Sequence, residues 1–209
     1  MMLHEHILTG RQPHVLQAVA PVATQFGFYL AGGTAIALRL GHRRSEDFDW
    51  FTDAAIFPSE ALLAALRDIV AIEVQTLDAG TIIGRVEGVK VSFMQFEYPF
   101  LAQPEEIEGR SLRLADPRDL AAMKLLAVTQ RGTRKDFIDI YELLRQGGDL
   151  RTMLTDYQNK FALASAISAL RALVYFDDAE REPVPEMLVP LAWPELKDKL
   201  RAAVSRLMQ

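Results

Sequence analysis

The sequence predicts an α+β fold, a mixed β-sheet with flanking helices followed by a C-terminal helical domain. Three observations carry that expectation. An apolar run over residues 27–31 ends at Gly32-Gly33 and leads through a short helical segment into a second strand. A block of period-two segments follows between residues 72 and 114. From Asp116 onward the apolar spacing is helical, with recognisable helix starts and stops. The change of period places a domain boundary near residue 115, so that residues 1–115 form an α/β domain and 116–209 a helical one.

Residues 12–25 carry Leu16, Val19, Val22 and Ala23 at helical spacing, entered through Pro13 and disturbed by Pro21. His4, His6 and His14 lie nearby in a spacing that suits no closed metal site, and they read as surface residues. After the strand at 27–31, Thr34 stands where a helix would begin, and Gly41 closes that helix behind Ile36, Leu38 and Leu40. A helix follows over residues 58–70, with Leu62, Leu63, Leu66 and Ile69 as its apolar stripe. Residues 72–77, 81–86, 89–96 and 112–114 read as strands in antiparallel hairpins, and 103–109 as a polar loop. Asp116-Pro117-Arg118-Asp119 has the form of a capping box opening a helix that runs to about Arg131. A second helix runs from about Thr133 to Gly147, the pattern stays helical from 150 through 174, and a last helix covers 195–208. Between them residues 183–194 are proline-rich yet carry Met187, Leu188, Val189, Leu191 and Trp193, too apolar to be a solvated tail.

The stretch from Tyr29 to Phe51 concentrates the chemistry. Gly32 and Gly33 lack a Cβ, so a sharp turn there can present backbone N–H groups to an anion, and the helix start behind them favours a phosphate. Strand alternation over Asp47-Phe48-Asp49-Trp50-Phe51 puts the two carboxylates on one face, roughly 7 Å apart, and Phe48 and Trp50 on the other. A cation between two such like charges is the simplest reason for their placement, and hard oxygen ligands suit Mg²⁺ with a substrate triphosphate completing the shell. Each motif also has a plain structural explanation, as a loop turn or as charges protecting an exposed edge strand. The basic residues Arg39, His42, Arg43 and Arg44, and a second group of Arg131, Arg134 and Lys135, read either as solvated loops or as contacts to a bound anion. Lys124, on an otherwise apolar helical face, either snorkels or reaches a phosphate. Asp136 and Asp139 share one helix face, and Lys135 with Asp139 could form an exposed pair.

Composition sets limits. Half of the 209 residues are hydrophobic and 24% charged, which suits a folded globular chain rather than a disordered one. The net charge of −5 argues against coating nucleic acid by bulk electrostatics, though not against local contacts. With no cysteine there is no disulfide framework, thiolate metal site or cysteine nucleophile. No apolar run reaches membrane-spanning length and no leader pattern opens the chain, so a cytoplasmic location without membrane contact is expected.

In this order the motifs resemble the nucleotidyltransferase superfamily, and within it the AbiEii/AbiGii toxin family. Its members carry a Gly-Gly/Ser-Thr turn, an Asp-x-Asp strand, a later lysine and a Lys/Arg-Asp helix. The matching positions are Gly32, Gly33, Thr34, Asp47 and Asp49, then Lys124, Lys135, Asp136 and Asp139. The resemblance implies a nucleotidyltransferase-like fold whose helical domain closes the nucleotide cleft. It implies Mg²⁺-dependent transfer of a nucleoside monophosphate from an NTP to an acceptor, with RNA such as tRNA a candidate, and a cognate antitoxin as partner. Asp47, Asp49, Lys124 and Asp136 would be catalytic, the two strand aspartates holding the metal. Gly32, Gly33, Thr34, Arg43, Arg44, Lys135 and Asp139 would contact nucleotide. Lys124 would reach phosphate and Asp136 would orient Lys124 or the acceptor.

One departure stands out. Where many such enzymes place a third metal-binding carboxylate on a later strand, the sequence reads Val91-Ser92-Phe93. Either two carboxylates suffice, or Glu87 or Glu97 substitutes, or the chain is a catalytically impaired nucleotide-binding regulator that kept the fold. A purely structural reading would require the glycine turn and the Asp-x-Asp strand to be far apart.

Overall fold

The structure, a computed structural model, describes residues 3–208. It divides into two compact units: the described residues up to Pro99 together with Gln103–Asp116, and Phe100–Ala102 together with the described residues from Pro117 onward.

The first unit is built on a seven-stranded mixed sheet. Its strands are β1 (Tyr29–Ala31), β2 (Phe48–Thr52), β3 (Ile72–Asp78), β4 (Thr81–Val86), β5 (Val89–Gln95), β6 (Glu105–Glu106) and β7 (Arg113–Leu114), in the order β3-β4-β5-β2-β1-β7-β6. β3, β4 and β5 form the expected antiparallel hairpins, whereas β5 joins β2 and β7 joins β1 in parallel. β6 is a correction: the supposed polar loop contributes two exposed residues that pair with β7 at the sheet edge. Glutamates are poor strand formers, so only the neighbouring strand draws them in.

Burial along β2 follows the pleat. Phe48 and Trp50 are fully buried while Asp49 and Phe51 are half-buried. Leu30 and Phe93 flank Trp50 in register, and the Trp50 and Phe93 rings stack at 6.3 Å and 12°. An aromatic pair of this kind stabilises by about 1 kcal/mol beyond its buried area.

Helices α1 (Gln12–Gln25), α2 (Gly32–Leu40) and α3 (Ser59–Arg67) complete the unit. α1 runs unbroken through Pro21, whose ring is exposed, because Val19, Val22 and Ala23 anchor it on the buried side. α3 stops at Arg67, before the expected end, and leaves Ile69 half exposed rather than in its apolar stripe. Gly41 is the left-handed cap of α2 at φ +65, as expected.

The second unit is helical: α4 (Pro117–Gln130), α5 (Arg134–Arg145), α6 (Leu150–Phe161), α7 (Ile167–Ala172), α8 (Asp177–Glu180) and α9 (Trp193–Leu207). α4 packs on α5, α6 and α7, and α9 on α5 and α6. The continuous helical pattern expected from 150 to 174 is broken at Ala162, which adopts φ +51 and ends α6. The proline-rich stretch is a packed connection, its Met187, Leu188 and Val189 half-buried and Trp193 edge-on to Phe137 and Phe176.

Candidate active site

β1 passes straight into α2, and the junction is made by Gly32 at φ +67. A Cβ at Gly32 would lie 2.7 Å from Asp49 Oδ2, and one at Gly33 would lie 2.6 Å from the Arg43 guanidinium. Gly32 is therefore required by its left-handed backbone and by the approach of Asp49, whereas a Cβ at Gly33 would meet the end of the Arg43 side chain, which can shift. The register pairs Ala31 with Asp49, so the glycine turn and the Asp-x-Asp strand are neighbours and the purely structural reading fails.

The helix opens at Gly32 rather than at Thr34. Thr34 is its third residue and buried; its hydroxyl bonds Ser45 Oγ at 2.7 Å and donates to the Asp47 carbonyl. That hydroxyl serves the approach to β2, which leaves Thr34 its backbone N–H for an anion. No side chain among the described residues caps α2, so its first N–H groups carry the positive end of the helix. The expected outcome for Gly32→Ala is a folded protein less stable by about 1 kcal/mol from left-handed strain. Its Asp49 carboxylate would be displaced, so transfer should fall more steeply than the melting temperature in parallel assays.

The basic stretch behind α2 is neither a solvated loop nor uniformly a ligand surface. Arg39 bonds the Ala115 carbonyl at 2.9 Å and meets Glu105 at 3.1 Å. Arg44 donates to the carbonyls of His6 and Ile7 at 3.0 and 3.2 Å, which ties it to the N-terminal segment. Arg43 is buried, donates to the Arg44 carbonyl at 2.9 Å and lies against Gly33 at the start of α2. A cation at the positive end of a helix suits an anion shared by both. Sequence reading missed Gln12, whose Nε2 donates to the Ser45 carbonyl at 2.6 Å while its Oε1 accepts from the Thr9 N–H. A lone glutamine at the edge of an amphipathic helix gives no signal of that reach.

Asp47 lies just before β2 and Asp49 within it, both half-buried, with Lys90 Nζ 3.8 Å from Asp47. Ser92 is buried and stands directly beside Asp49 on β5. Glu87 sits at φ +49 in the β4–β5 turn and is engaged by His14 at 2.9 Å and Arg11 at 3.7 Å. Glu97 accepts from Gln95 at 2.9 Å. Among the described residues no three His, Cys, Asp or Glu side chains converge as a metal cage. Two carboxylates on one face, beside a cradle that a Cβ would fill, fit Mg²⁺, which retains waters and takes its other ligands from substrate phosphates.

In the helical unit Lys124 neither snorkels nor opens to solvent. It is buried, with its ammonium 2.8 Å from Asp136 Oδ1 and 2.8 Å from Asp139 Oδ2. Asp136 also receives two bonds from Arg131, at 2.9 and 3.0 Å, and one from Thr133 at 2.5 Å. Asp139 is fully buried and committed to Lys124 while Lys135 is exposed, which replaces the exposed pair considered from spacing. The Asp119 expected in a capping box instead accepts from the Leu101 and Ala102 N–H groups at 3.1 Å and from Lys160. Its partners are distant in sequence, and no local pattern points to them.

Burial pushes the Asp136 carboxyl up, but the Arg131 bonds, the Lys124 charge and bond and the Thr133 hydroxyl hold it well below the ordinary carboxylate range. The unfolded chain therefore takes up this proton first as pH falls. The stabilisation is complete above the unfolded value near ~4 and is lost progressively below it. Urea midpoints should drop from pH 5 toward acid, with a shallower drop in Asp136→Asn.

This sheet and site define a nucleotidyltransferase-like protein. The chain belongs to the family described as "Nucleotidyl transferase AbiEii toxin, Type IV TA system", whose model matches residues 14–109 and 93–209. An uncharacterised protein of Aquifex aeolicus (strain VF5) is 33% identical over 204 residues, 97% of this chain and 98% of that protein. Among solved structures, MenT4, a nucleotidyltransferase toxin of Mycobacterium tuberculosis H37Rv, is similar with TM-score 0.57 and 14% identity, covering 94% of this chain and 82% of that one. ANT(2")-Ia in complex with adenylyl-2"-tobramycin follows with TM-score 0.56 and 17% identity, covering 74% and 100%. Among the described residues no helix is long and apolar enough to cross a membrane.

Proposed function

We propose that the protein is a Mg²⁺-dependent nucleotidyltransferase that moves a nucleoside monophosphate from an NTP to a hydroxyl-bearing acceptor. The observation that carries this is the approach of the Asp49 carboxylate to Gly32, where a Cβ would collide with it, which sets an anion-binding helix start against a carboxylate strand. The first N–H groups of α2 and the Arg43 guanidinium hold the β- and γ-phosphates. Asp47 and Asp49 hold Mg²⁺, which when bound neutralises the α-phosphate and the departing pyrophosphate. Asp49 takes the proton of the acceptor hydroxyl as the new oxygen–phosphorus bond forms and the bond to the β-phosphate oxygen breaks. Gln12, Ser45 and Thr34 hold the segment before β2, so the protein mainly supplies positioning. Asp136 and Asp139 hold the Lys124 ammonium, so Asp136 positions Lys124, while a Lys124 contact to phosphate rests on the family resemblance alone. Lys135 adds a nucleotide contact on the family resemblance alone. RNA such as tRNA, a cognate antitoxin and the cytoplasm are the acceptor, partner and location this reading favours.

The test is incubation with each α-labelled NTP, Mg²⁺ and a nuclease-inhibited cell extract. Label in RNA, protein or a small molecule supports the reading and names the acceptor class. Binding of Mg-nucleotide with no label in any fraction supports instead a catalytically impaired nucleotide-binding regulator, which the placement of Ser92 beside Asp49 favours. In that case Ser92→Asp should raise transfer above background.

A further inference from the structure

A second charged feature lies wholly within the helical unit. A cleft of about 570 Å³ opens between the end of α5, the start of α6 and the C-terminal half of α9. Arg145, Arg151, Lys199 and Arg206 line it with a single acid, Asp149. Asp149 is turned to its own helix, where it accepts from the Thr152 N–H and hydroxyl at 2.9 Å. Arg145 is held by Glu142 at 2.8 Å, whereas Arg151, Lys199 and Arg206 make no ion pair among the described residues and are exposed. In a chain of net charge −5, three helices have thus gathered cations at one place. The floor between them is apolar, with Leu144, Leu200 and the half-buried ring of Tyr141.

We propose that this cleft binds the phosphodiester backbone of a single-stranded nucleic acid, with a base or sugar against Tyr141 and the leucines. Unneutralised cations spaced along a groove hold successive phosphates, and an aromatic face accepts a base of any identity. An acidic peptide would meet the same charges, but it has less use for a planar apolar floor. The site is independent of the transfer chemistry, because none of its residues belongs to the glycine turn, the carboxylate strand or the Lys124 cluster.

The test is fluorescence anisotropy of a labelled oligouridylate with the full chain, without NTP or divalent cation, so a failed transfer reading leaves it unaffected. Binding should weaken with salt. The triple variant Arg151→Ala/Lys199→Ala/Arg206→Ala should lose at least about tenfold in affinity and flatten the log–log salt slope by about 2, at ~0.7 per phosphate contact. Lys197→Ala, whose ammonium is engaged by Glu180, should change neither. The substituted side chains are exposed, and an unchanged circular dichroism spectrum checks that the fold persists. Absent binding by the wild type, or unchanged affinity and slope in the triple variant, overturns the proposal. Tighter competition by polyglutamate than by unlabelled oligonucleotide overturns it in favour of an acidic protein partner.

Discussion

Asp49→Asn is expected to reduce nucleotidyl transfer by at least about a thousandfold, ~4 kcal/mol in barrier, with the fold unchanged. The amide keeps the shape of the side chain but removes one of the two negative charges on this face of β2 and the proposed proton acceptor. Asp49 is half-buried and lies beside Gly32, where no Cβ intervenes, so the isosteric change should alter stability by less than ~1 kcal/mol. Its hydrophobic neighbours Phe48 and Trp50 point to the opposite face and keep their packing. Label transfer and a urea melt on the same preparations check both halves of the expectation. Undiminished turnover in a folded variant would remove Asp49, and with it the metal assignment, from the proposed chemistry.

Asp136→Ala is expected to have the largest effect on stability, about 3 kcal/mol, because it removes one of the two carboxylates that compensate the buried Lys124 ammonium rather than merely deleting a bond. The carboxylate is fully buried and accepts from Lys124, Arg131 and Thr133. Without it the buried Lys124 ammonium has Asp139 as its remaining carboxylate neighbour, and the Thr133 hydroxyl loses its acceptor. A loss of that size is a large share of the ~5–15 kcal/mol by which a domain is stable. Urea denaturation at neutral pH measures it, and a double-mutant cycle with Lys124→Ala should show coupling above ~2 kcal/mol. Coupling near that of an exposed ion pair, below ~1 kcal/mol, would mean that water reaches the cluster and that its burial does not govern its energetics.

Much of this protein was legible without coordinates, for reasons of chain locality. The Gly32-Gly33 turn, the cap at Gly41, the alternation through Asp47 and Asp49 and the hairpins after residue 72 each depend on residues a few positions apart, where backbone freedom and side-chain period dominate. The same locality misled where a distant partner competed with a local pattern. Thr34 had the form of a helix cap, yet its hydroxyl serves Ser45 and Asp47. Asp119 completed a capping box on paper but satisfies Leu101, Ala102 and Lys160. Sequence alone thus determined which groups could do chemistry and which strand face they share. Only the tertiary structure decided that Gly32 stands against Asp49, that Ser92 lies beside it, and that Lys124 is buried between two aspartates. A buried polar group takes whichever partner the fold brings within hydrogen-bond reach, and that choice depends on packing between segments that the linear order keeps apart.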